Sequence, residues 1–297
     1  MFVLAHISDP HLAPLPRPHW RELIGKRGTG FVNWQRNRRF IHRPEVLERV
    51  SADLRASAPD HVAVTGDLVN ISGSEEYQPA RIWLESLGRA RRVSLVPGNH
   101  DDYVRGAAPY PLAYWGDFMR DDDIGQFGFP FVRRRGALAL IGLSSARPTA
   151  PFFATGRLGG EQLARLAELL DVCGRQEYFR VVLIHHPPVS RARRHFKRLI
   201  DGPRFRAVLA RHGAELVLHG HDHVHSLVHL AGPSYPIPAV GVPSASQVPR
   251  AAHDPPGYNL CHIEGQVGSW RCEIVSRGLG PDGKTMTEIK RIPLSLE

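Results

Sequence analysis

The sequence predicts an α/β fold, a four-layer αββα sandwich in which two mixed β-sheets pack together and helices flank them. Two observations favour this fold. Short apolar runs alternate with amphipathic segments along much of the chain, and the C-terminal part is rich in strand-forming segments. No composition break or linker divides the 297 residues. We therefore expect a single domain over residues 1–297, with an insertion rich in arginine and aromatic residues at about 12–43.

Several short runs of β-branched and aliphatic residues predict the strands. Four of them end directly at a polar motif, namely residues 2–8, 61–65, 93–96 and 181–184. Continuous apolar runs suit strands that are buried on both faces, so their polar motifs are expected in loops at the strand ends. Further strands are predicted at 137–143, 216–218, 224–230, 258–264 and 268–275, and the last two form a hairpin that turns near residues 265–268.

Helices are predicted between these strands. Residues 44–57 begin with Pro44, a favoured first helical residue, and residues 160–173 repeat leucine at helical spacing. Gly174 is expected to end the second helix as a left-handed cap. A third helix is predicted over residues 201–212.

Two further segments have a less regular pattern. Residues 74–87 have a helical pattern, but Pro79 would lose a backbone hydrogen bond in a helix that began at Glu75. We expect that helix to begin near Gln78. Residues 12–43 show no clear periodicity, and no regular element is predicted there.

The composition indicates which kinds of partner the protein binds and in which cellular compartment it lies. A formal net charge of +9 and a sequence pI near 9.9 favour anionic partners such as phosphate esters, nucleic acid or acidic membranes. The three cysteines, Cys173, Cys261 and Cys272, lack Cys-x-x-Cys spacing, which indicates reduced thiols. No apolar run approaches the roughly 18 residues that span a bilayer. The N-terminal run is too short for a signal peptide, so the expected location is the cytoplasm.

The residues that carry chemistry lie in five motifs: Asp9-Pro10-His11, Gly66-Asp67, Gly98-Asn99-His100-Asp101, His185-His186-Pro187 and Gly220-His221-Asp222-His223. Most have an ordinary explanation when taken singly, because a Gly-Asp pair often forms a turn. The whole set at the ends of predicted strands is harder to explain by chance. Together the motifs supply donors for two adjacent metal ions that share a carboxylate. Mixed nitrogen and oxygen donors suit Mn, Fe, Co or Zn.

In this order the motifs resemble those of the calcineurin-like metallophosphoesterase superfamily, which are Asp-x-His, Gly-Asp, Gly-Asn-His-Asp/Glu, a strand-end His, and Gly-His-x-His. The matching residues run from Asp9 to His223. Residues 4–9 and 74–78 further resemble the class III branch of cyclic-nucleotide and glycerophosphodiester phosphodiesterases. The resemblance implies a metal-dependent phosphoester hydrolase with two transition-metal ions, Mn, Fe or Zn.

The resemblance also implies a role for each residue. Asp9, His11 and His223 resemble the ligands of a first ion. Asn99, His185 and His221 resemble those of a second ion, and Asp67 resembles the carboxylate that bridges the two. His100 resembles the histidine that contacts the phosphate and protonates the leaving oxygen, and Asp101 would orient it. His185 is preferred to His186 as a ligand because related sequences place the ligand two residues before the proline; His186 and Asn70 would then support the ligands or face the substrate.

Two such ions, about 4 Å apart, could hold a shared water, lower its pKa and clamp the phosphoryl oxygens. The metal-bridging hydroxide would then attack the phosphorus in line. No serine or cysteine nucleophile is required.

Three classes of function remain open. The favoured one is a phosphodiesterase for a small substrate, a cyclic nucleotide or a glycerophosphodiester. The second is a hydrolase of lipid-linked phosphoesters or pyrophosphates in peripheral contact with a membrane. The third, a nucleic-acid-binding metal protein, is less favoured because the basic run at 191–198 is more typical of a solvated loop than of a nucleic-acid track. An edge strand near the C-terminal hairpin could pair with its copy in another subunit, and the protein would then be a homo-oligomer.

Segment 12–43 has two interpretations. It either caps the active site and binds an anionic or lipid-like substrate, or it is a surface excursion whose aromatic residues anchor it to the body of the protein. Its aromatic and basic residues are Trp20, Phe31, Trp34, Phe40, Arg17, Arg21, Lys26, Arg27, Arg36, Arg38, Arg39 and Arg43.

Overall fold

Two six-stranded sheets form the centre of the protein. The computed structural model describes residues 1–122, 128–190, 195–250 and 253–296. The first sheet has the order β12 (Met286–Leu294), β11 (Arg271–Leu279), β10 (Gly257–Glu264), β1 (Phe2–Ile7), β2 (His61–Val64) and β3 (Val93–Leu95). The second has the order β4 (Phe131–Arg135), β5 (Leu138–Gly142), β6 (Phe179–Leu183), β7 (Leu216–His219), β9 (Ile237–Gly241) and β8 (Ser226–Leu230). Both sheets contain parallel and antiparallel neighbours.

Helices cover the outer faces of these sheets. The α-helices of the described residues are α1 (Lys26–Arg36), α2 (Pro44–Ala56), α3 (Tyr77–Leu87), α4 (Pro109–Trp115), α5 (Gly160–Arg175) and α6 (Gly202–His212). Short 3₁₀ turns lie at Trp20–Leu23, Arg38–Phe40, Ser74–Glu76, Ala90–Arg92, Gly116–Phe118 and His195–Lys197.

Strand β6 shows how the sequence specifies this layering. Val181 and Leu183 pack in the core between the sheets, whereas Val182 packs with Leu166 of α5 on the outer face. Because successive side chains of a strand point to opposite faces, a continuous apolar run is required wherever both faces are covered. The predicted αββα sandwich is confirmed.

Three strands and two helices were not predicted. Strands β4 and β12 carry several charged residues and so lack the apolar pattern of a buried strand. Strand β9 is apolar and buried, but it contains Pro238, which disfavours a strand within a sheet. Helix α4 was missed, and α1 lies in segment 12–43, where no regular element was predicted. Strand β12 covers β11, so the sheet edge lies at β12 rather than at the predicted hairpin.

Two predicted helix boundaries also differ from the structure. The prediction that Gly174 caps α5 was wrong, because the helix continues to Arg175 and the left-handed φ of 61° belongs to Glu177. Helix α3 begins at Tyr77, one residue before the predicted start, after the 3₁₀ turn. Pro79 therefore lies in its first turn, where a missing N–H costs little.

The topology brings the polar motifs to one edge of the sandwich. Strands β1, β2 and β3 are parallel neighbours, as are β5, β6 and β7. The motifs follow β1, β2, β3, β6 and β7, and hydrogen bonds between the two sets of loops place these strand ends together. Of the basic run at 191–198, residues 191–194 lie outside the described residues.

Candidate metal centre

Hydrogen bonds donated by backbone N–H groups join the motif loops to one another. Asp9 N donates to Gly66 O at 3.0 Å, and His11 N donates to Asp67 O at 3.1 Å. From the second sheet, His221 N donates to Asp9 Oδ2 at 3.0 Å. The positions of the side chains are therefore set by contacts between loops that are far apart in sequence.

The backbone is in an unusual conformation at this edge. Nine non-glycine residues of the described chain have a positive φ, and five of them are predicted ligands: Asp9, His11, Asp67, His221 and His223. Such left-handed conformations are uncommon outside glycine and concentrate at functional sites. Gly98 permits the close approach of two loops, since a Cβ there would overlap the Asp67 carboxylate and backbone nitrogen.

Asp9, His11 and His223 form one donor cluster. His223 Nε2 lies 3.1 Å from Asp9 Oδ1, and His11 Nε2 lies 3.9 Å from the same oxygen. His11 Nδ1 donates to Val69 O at 3.2 Å, so its Nε2 faces the carboxylate without a proton. One atom from each of the three residues lies within 4.8 Å of the others, a spacing that can hold a metal ion.

A second donor cluster surrounds His185. Its Nδ1 donates to Thr65 O at 2.7 Å, which leaves Nε2 facing inward. His185 Nε2 lies 3.1 Å from His221 Nδ1 and 3.3 Å from the amide oxygen of Asn99. Two ring nitrogens and an oxygen with lone pairs at this spacing require a proton or a cation between them, and the donor set suits a transition metal.

Asp67 lies between the two clusters. Its Oδ2 is 3.7 Å from His11 Nε2 and 3.5 Å from His185 Nε2, while Oδ1 accepts the N–H of His100 at 2.8 Å. Burial alone would lower the pKa of His185, but the nearby Asp67 and Asp9 carboxylates raise it to about 9. The carboxylates thus stabilise positive charge here, and the residues fit two cations that share Asp67.

His186 and Asn70 lie around these clusters. His186 Nδ1 contacts Ser145 Oγ at 2.7 Å and Nε2 contacts Ala154 O at 3.1 Å, so both ring nitrogens have protein partners although the ring stands near His221. Asn70 donates from Nδ2 to Leu12 O at 2.8 Å. One ring nitrogen of His186 also lies within 4.8 Å of donor atoms of His185 and His221, a spacing that can hold a metal ion.

His100 and Asp101 are close in sequence but have separate partners. The interpretation that Asp101 orients the His100 ring was wrong. His100 Nδ1 donates instead to Asn70 O at 2.5 Å. The Asp101 carboxylate accepts backbone N–H groups of Asp67, Leu68, Val69 and Gly98.

Two residues of segment 12–43 lie at the site although no motif predicted them there. Arg38 Nη1 contacts His100 Nε2 at 2.9 Å, and the His42 ring stands 4.5 Å from the His11 ring. Neither lies in a motif, and the only signal was a general excess of basic residues in this segment. Trp34 is buried and anchors the segment to the body of the protein, whereas Trp20 and Phe40 are exposed.

Fold and site together define a metallophosphoesterase, an enzyme that hydrolyses phosphoesters. The family model described as calcineurin-like phosphoesterase matches residues 2–225, and the chain belongs to that family.

Two named proteins and one solved structure are similar to the chain. A probable cyclic nucleotide phosphodiesterase of Synechococcus sp. is 28% identical over 233 residues, covering 76% of this chain and 80% of that protein. The glycerophosphodiester phosphodiesterase GpdQ of Enterobacter lignolyticus is 36% identical over 114 residues, 36% of this chain and 34% of that protein. A dimetal phosphatase of Danio rerio shares the fold with a TM-score of 0.66 at 13% identity, covering 100% of this chain and 99% of the other. Among the residues that the structure describes, none of the helices has the length and apolarity needed to cross a membrane.

Proposed function

We propose that this protein is a phosphodiesterase that uses two transition-metal ions. The observation that carries the proposal is the position of Asp67 between two donor clusters in one cavity of about 240 Å³. We assign Asp9, His11 and His223 to the first ion and Asn99, His185 and His221 to the second, with Asp67 shared. The donor types favour Mn, Fe or Zn.

Bound ions would supply a nucleophile from water at neutral pH and offset the charge on the phosphoryl oxygens. In the hydrolysis the water loses a proton, its oxygen bonds to phosphorus and the bond to the leaving oxygen breaks. We assign His100 Nε2, which accepts from Arg38 in the structure, to contact the phosphoryl group, to take up the proton that the water releases and to deliver it to the leaving oxygen. Asn70 O fixes the ring through Nδ1, and Asp101 holds the loops on either side of the ring.

A small phosphodiester is the proposed substrate, either a cyclic nucleotide or a glycerophosphodiester. The names of the two similar proteins support these classes. The size of the cavity at the clusters is in keeping with a small ligand that exposes one phosphoryl group to both of them.

A substrate panel tests this proposal. Protein loaded with Mn, Zn or Fe is assayed on a cyclic nucleotide, a glycerophosphodiester, a phosphomonoester and a lipid pyrophosphate, with bound metal measured in each sample. We expect diesters to react fastest and the rate to require two bound ions. Faster hydrolysis of monoesters with all three metals would contradict the proposal.

A second candidate, hydrolysis of a lipid-linked phosphoester at a membrane surface, has one specific observation in its favour. Trp20 and Ile24 are 67% and 74% exposed, Phe40 is 55% exposed, and Arg21 and Arg39 lie over neighbouring aromatic rings. Exposed apolar side chains beside cations suit an anionic lipid interface. Flotation with vesicles of anionic lipid tests it: the wild type would float and a Trp20→Ala/Phe40→Ala double variant would float less, with the exposed Ile82→Ala as control.

A further inference from the structure

Arg38 lies outside the five motifs and reaches the metal centre from segment 12–43. Its Nη1 donates to His100 Nε2 at 2.9 Å, because a guanidinium has only donors and the ring nitrogen must accept. The side chain lines the same cavity as His11, Asp67 and Asn99. It therefore faces the place where a phosphoryl group would contact the donor clusters.

The other two nitrogens of this guanidinium have no hydrogen-bond partner among the residues that the structure describes. Nε and Nη2 of Arg38 are buried and make no hydrogen bond in the described part of the chain. No carboxylate of the described residues forms an ion pair with Arg38. Burying an unpaired donor of a charged group is costly, and an anion with several oxygens would remove that cost.

The backbone around Arg38 is fixed by a loop of the second sheet. Arg43 N donates to Ser246 O at 2.9 Å, and Val248 N donates to Ile41 O at 2.8 Å. His42 Nδ1 also contacts Ser246 Oγ at 2.8 Å. Because the backbone around Arg38 is held in place, the guanidinium would lose little conformational freedom when a ligand binds in the cavity.

We propose that Arg38 is a phosphate-binding residue, whose guanidinium donates to non-bridging oxygens of the phosphoryl group that the metal centre holds. This inference rests on the proposed function and adds a residue to it. The planar fork of donors matches two oxygens of a phosphate, which a point charge would not do. When the substrate binds, its oxygens replace His100 Nε2 as the acceptor for Nη1, and the ring nitrogen is freed to face the leaving oxygen.

Arg39 is a matched control one residue away. It is exposed, donates from Nη1 to Gln35 at 3.1 Å and lies over the Phe40 ring, without a contact to the metal centre. Its replacement removes the same charge from the same 3₁₀ turn but leaves the cavity intact.

The test measures binding of inorganic phosphate by calorimetry to Mn-loaded wild type, Arg38→Ala, Arg38→Lys and Arg39→Ala. Loss of a charge-assisted hydrogen bond predicts a dissociation constant roughly tenfold higher, or more, for Arg38→Ala. Arg38→Lys should recover only part of the affinity, and Arg39→Ala should match the wild type. KM for a diester should rise in the same order, and bound Mn and the melting temperature should stay near those of the wild type.

Unchanged or tighter phosphate binding by Arg38→Ala, with Mn still bound, would overturn the inference and leave the proposed function intact. An equal loss in Arg39→Ala would overturn it too, because the effect would then be one of general charge. Wild-type protein that binds no metal and hydrolyses no diester would instead overturn the proposed function.

Discussion

The carboxylate of Asp101 accepts the backbone N–H of Asp67 at 2.8 Å, and it accepts the N–H of Gly98 at the same distance. It thereby joins the loop after β2 to the loop after β3. Asp67, which lies between the two donor clusters, is held by this carboxylate through its backbone. Asp101 therefore sets the geometry of the centre from outside it.

Replacing Asp101 with Asn should destabilise the protein and reduce activity. The amide nitrogen would face backbone N–H groups that now bind oxygen, and each donor left unsatisfied costs about 1–3 kcal/mol. Denaturant unfolding and hydrolysis assays measure the two effects. Asp282→Asn is the control, because Asp282 also accepts backbone N–H groups, those of Lys284 and Thr285, but in an exposed turn. Equal losses in both variants would argue against this role for Asp101.

Replacing His185 and His186 separately should distinguish the ligand from its neighbour. His185 Nε2 faces the second cluster, whereas both nitrogens of His186 bind Ser145 and Ala154. We expect His185→Asn to lose one bound ion, together with at least about a hundredfold in rate. His186→Asn should keep both ions while losing stability. Metal analysis of the purified variants distinguishes the two histidines. Loss of an ion only in His186→Asn would show that His186, and not His185, is the ligand.

A methyl group at Gly98 should disrupt the centre. The added Cβ would overlap the carboxylate and backbone nitrogen of Asp67, so one loop must move. Such overpacking costs roughly 1–3 kcal/mol, and we expect activity to fall with it. Gly160→Ala is the control, since its Cβ would meet only the end of the Arg204 side chain at 3.6 Å. A Gly98→Ala variant with wild-type metal content and rate would show that the close approach is not needed.

Asp53 should make stability depend on pH in the acid range. Burial alone would raise its pKa, but hydrogen bonds from Arg277 and Tyr258 hold the pKa below its usual range. A depressed pKa contributes stability above the unfolded value of about 3.9, and that stability is lost as the pH falls through the lower folded value. The stability difference between wild type and Asp53→Asn should therefore shrink below about pH 4. Urea unfolding at several pH values measures it, and the exposed Glu75→Gln serves as control.

Metal binding should raise the melting temperature. An ion that binds only the folded protein stabilises it by mass action, so added Mn should raise the temperature and a chelator should lower it. Asp67→Asn should respond much less, because Asp67 lies within 4 Å of His11 Nε2 and His185 Nε2. The exposed His229→Ala should respond like the wild type. If Mn raised the melting temperature of Asp67→Asn as much as that of the wild type, Asp67 would not be a metal ligand.

Local patterns in the sequence predicted the layers and the positions of the motifs. Apolar runs such as β6 are covered on both faces, and the residues that end them emerge together because parallel strands end at one edge. Strands such as β12 were missed because their charged residues face solvent and only pairing with β11 defines them. Pairing energy of this kind has no local signature.

The order and spacing of the five motifs by themselves determined the family, the edge of the sandwich and the residues that meet there. Only the tertiary structure decided which atoms face inward. Thr65 O and Val69 O, each more than fifty residues from the histidine it binds, fix which nitrogen of His185 and His11 is free. The same holds for Asp101, which binds backbone rather than His100, and for Arg38, which reaches His100 across 62 residues. Ring orientation and guanidinium position depend on partners that folding supplies, so no run of neighbouring residues encodes them.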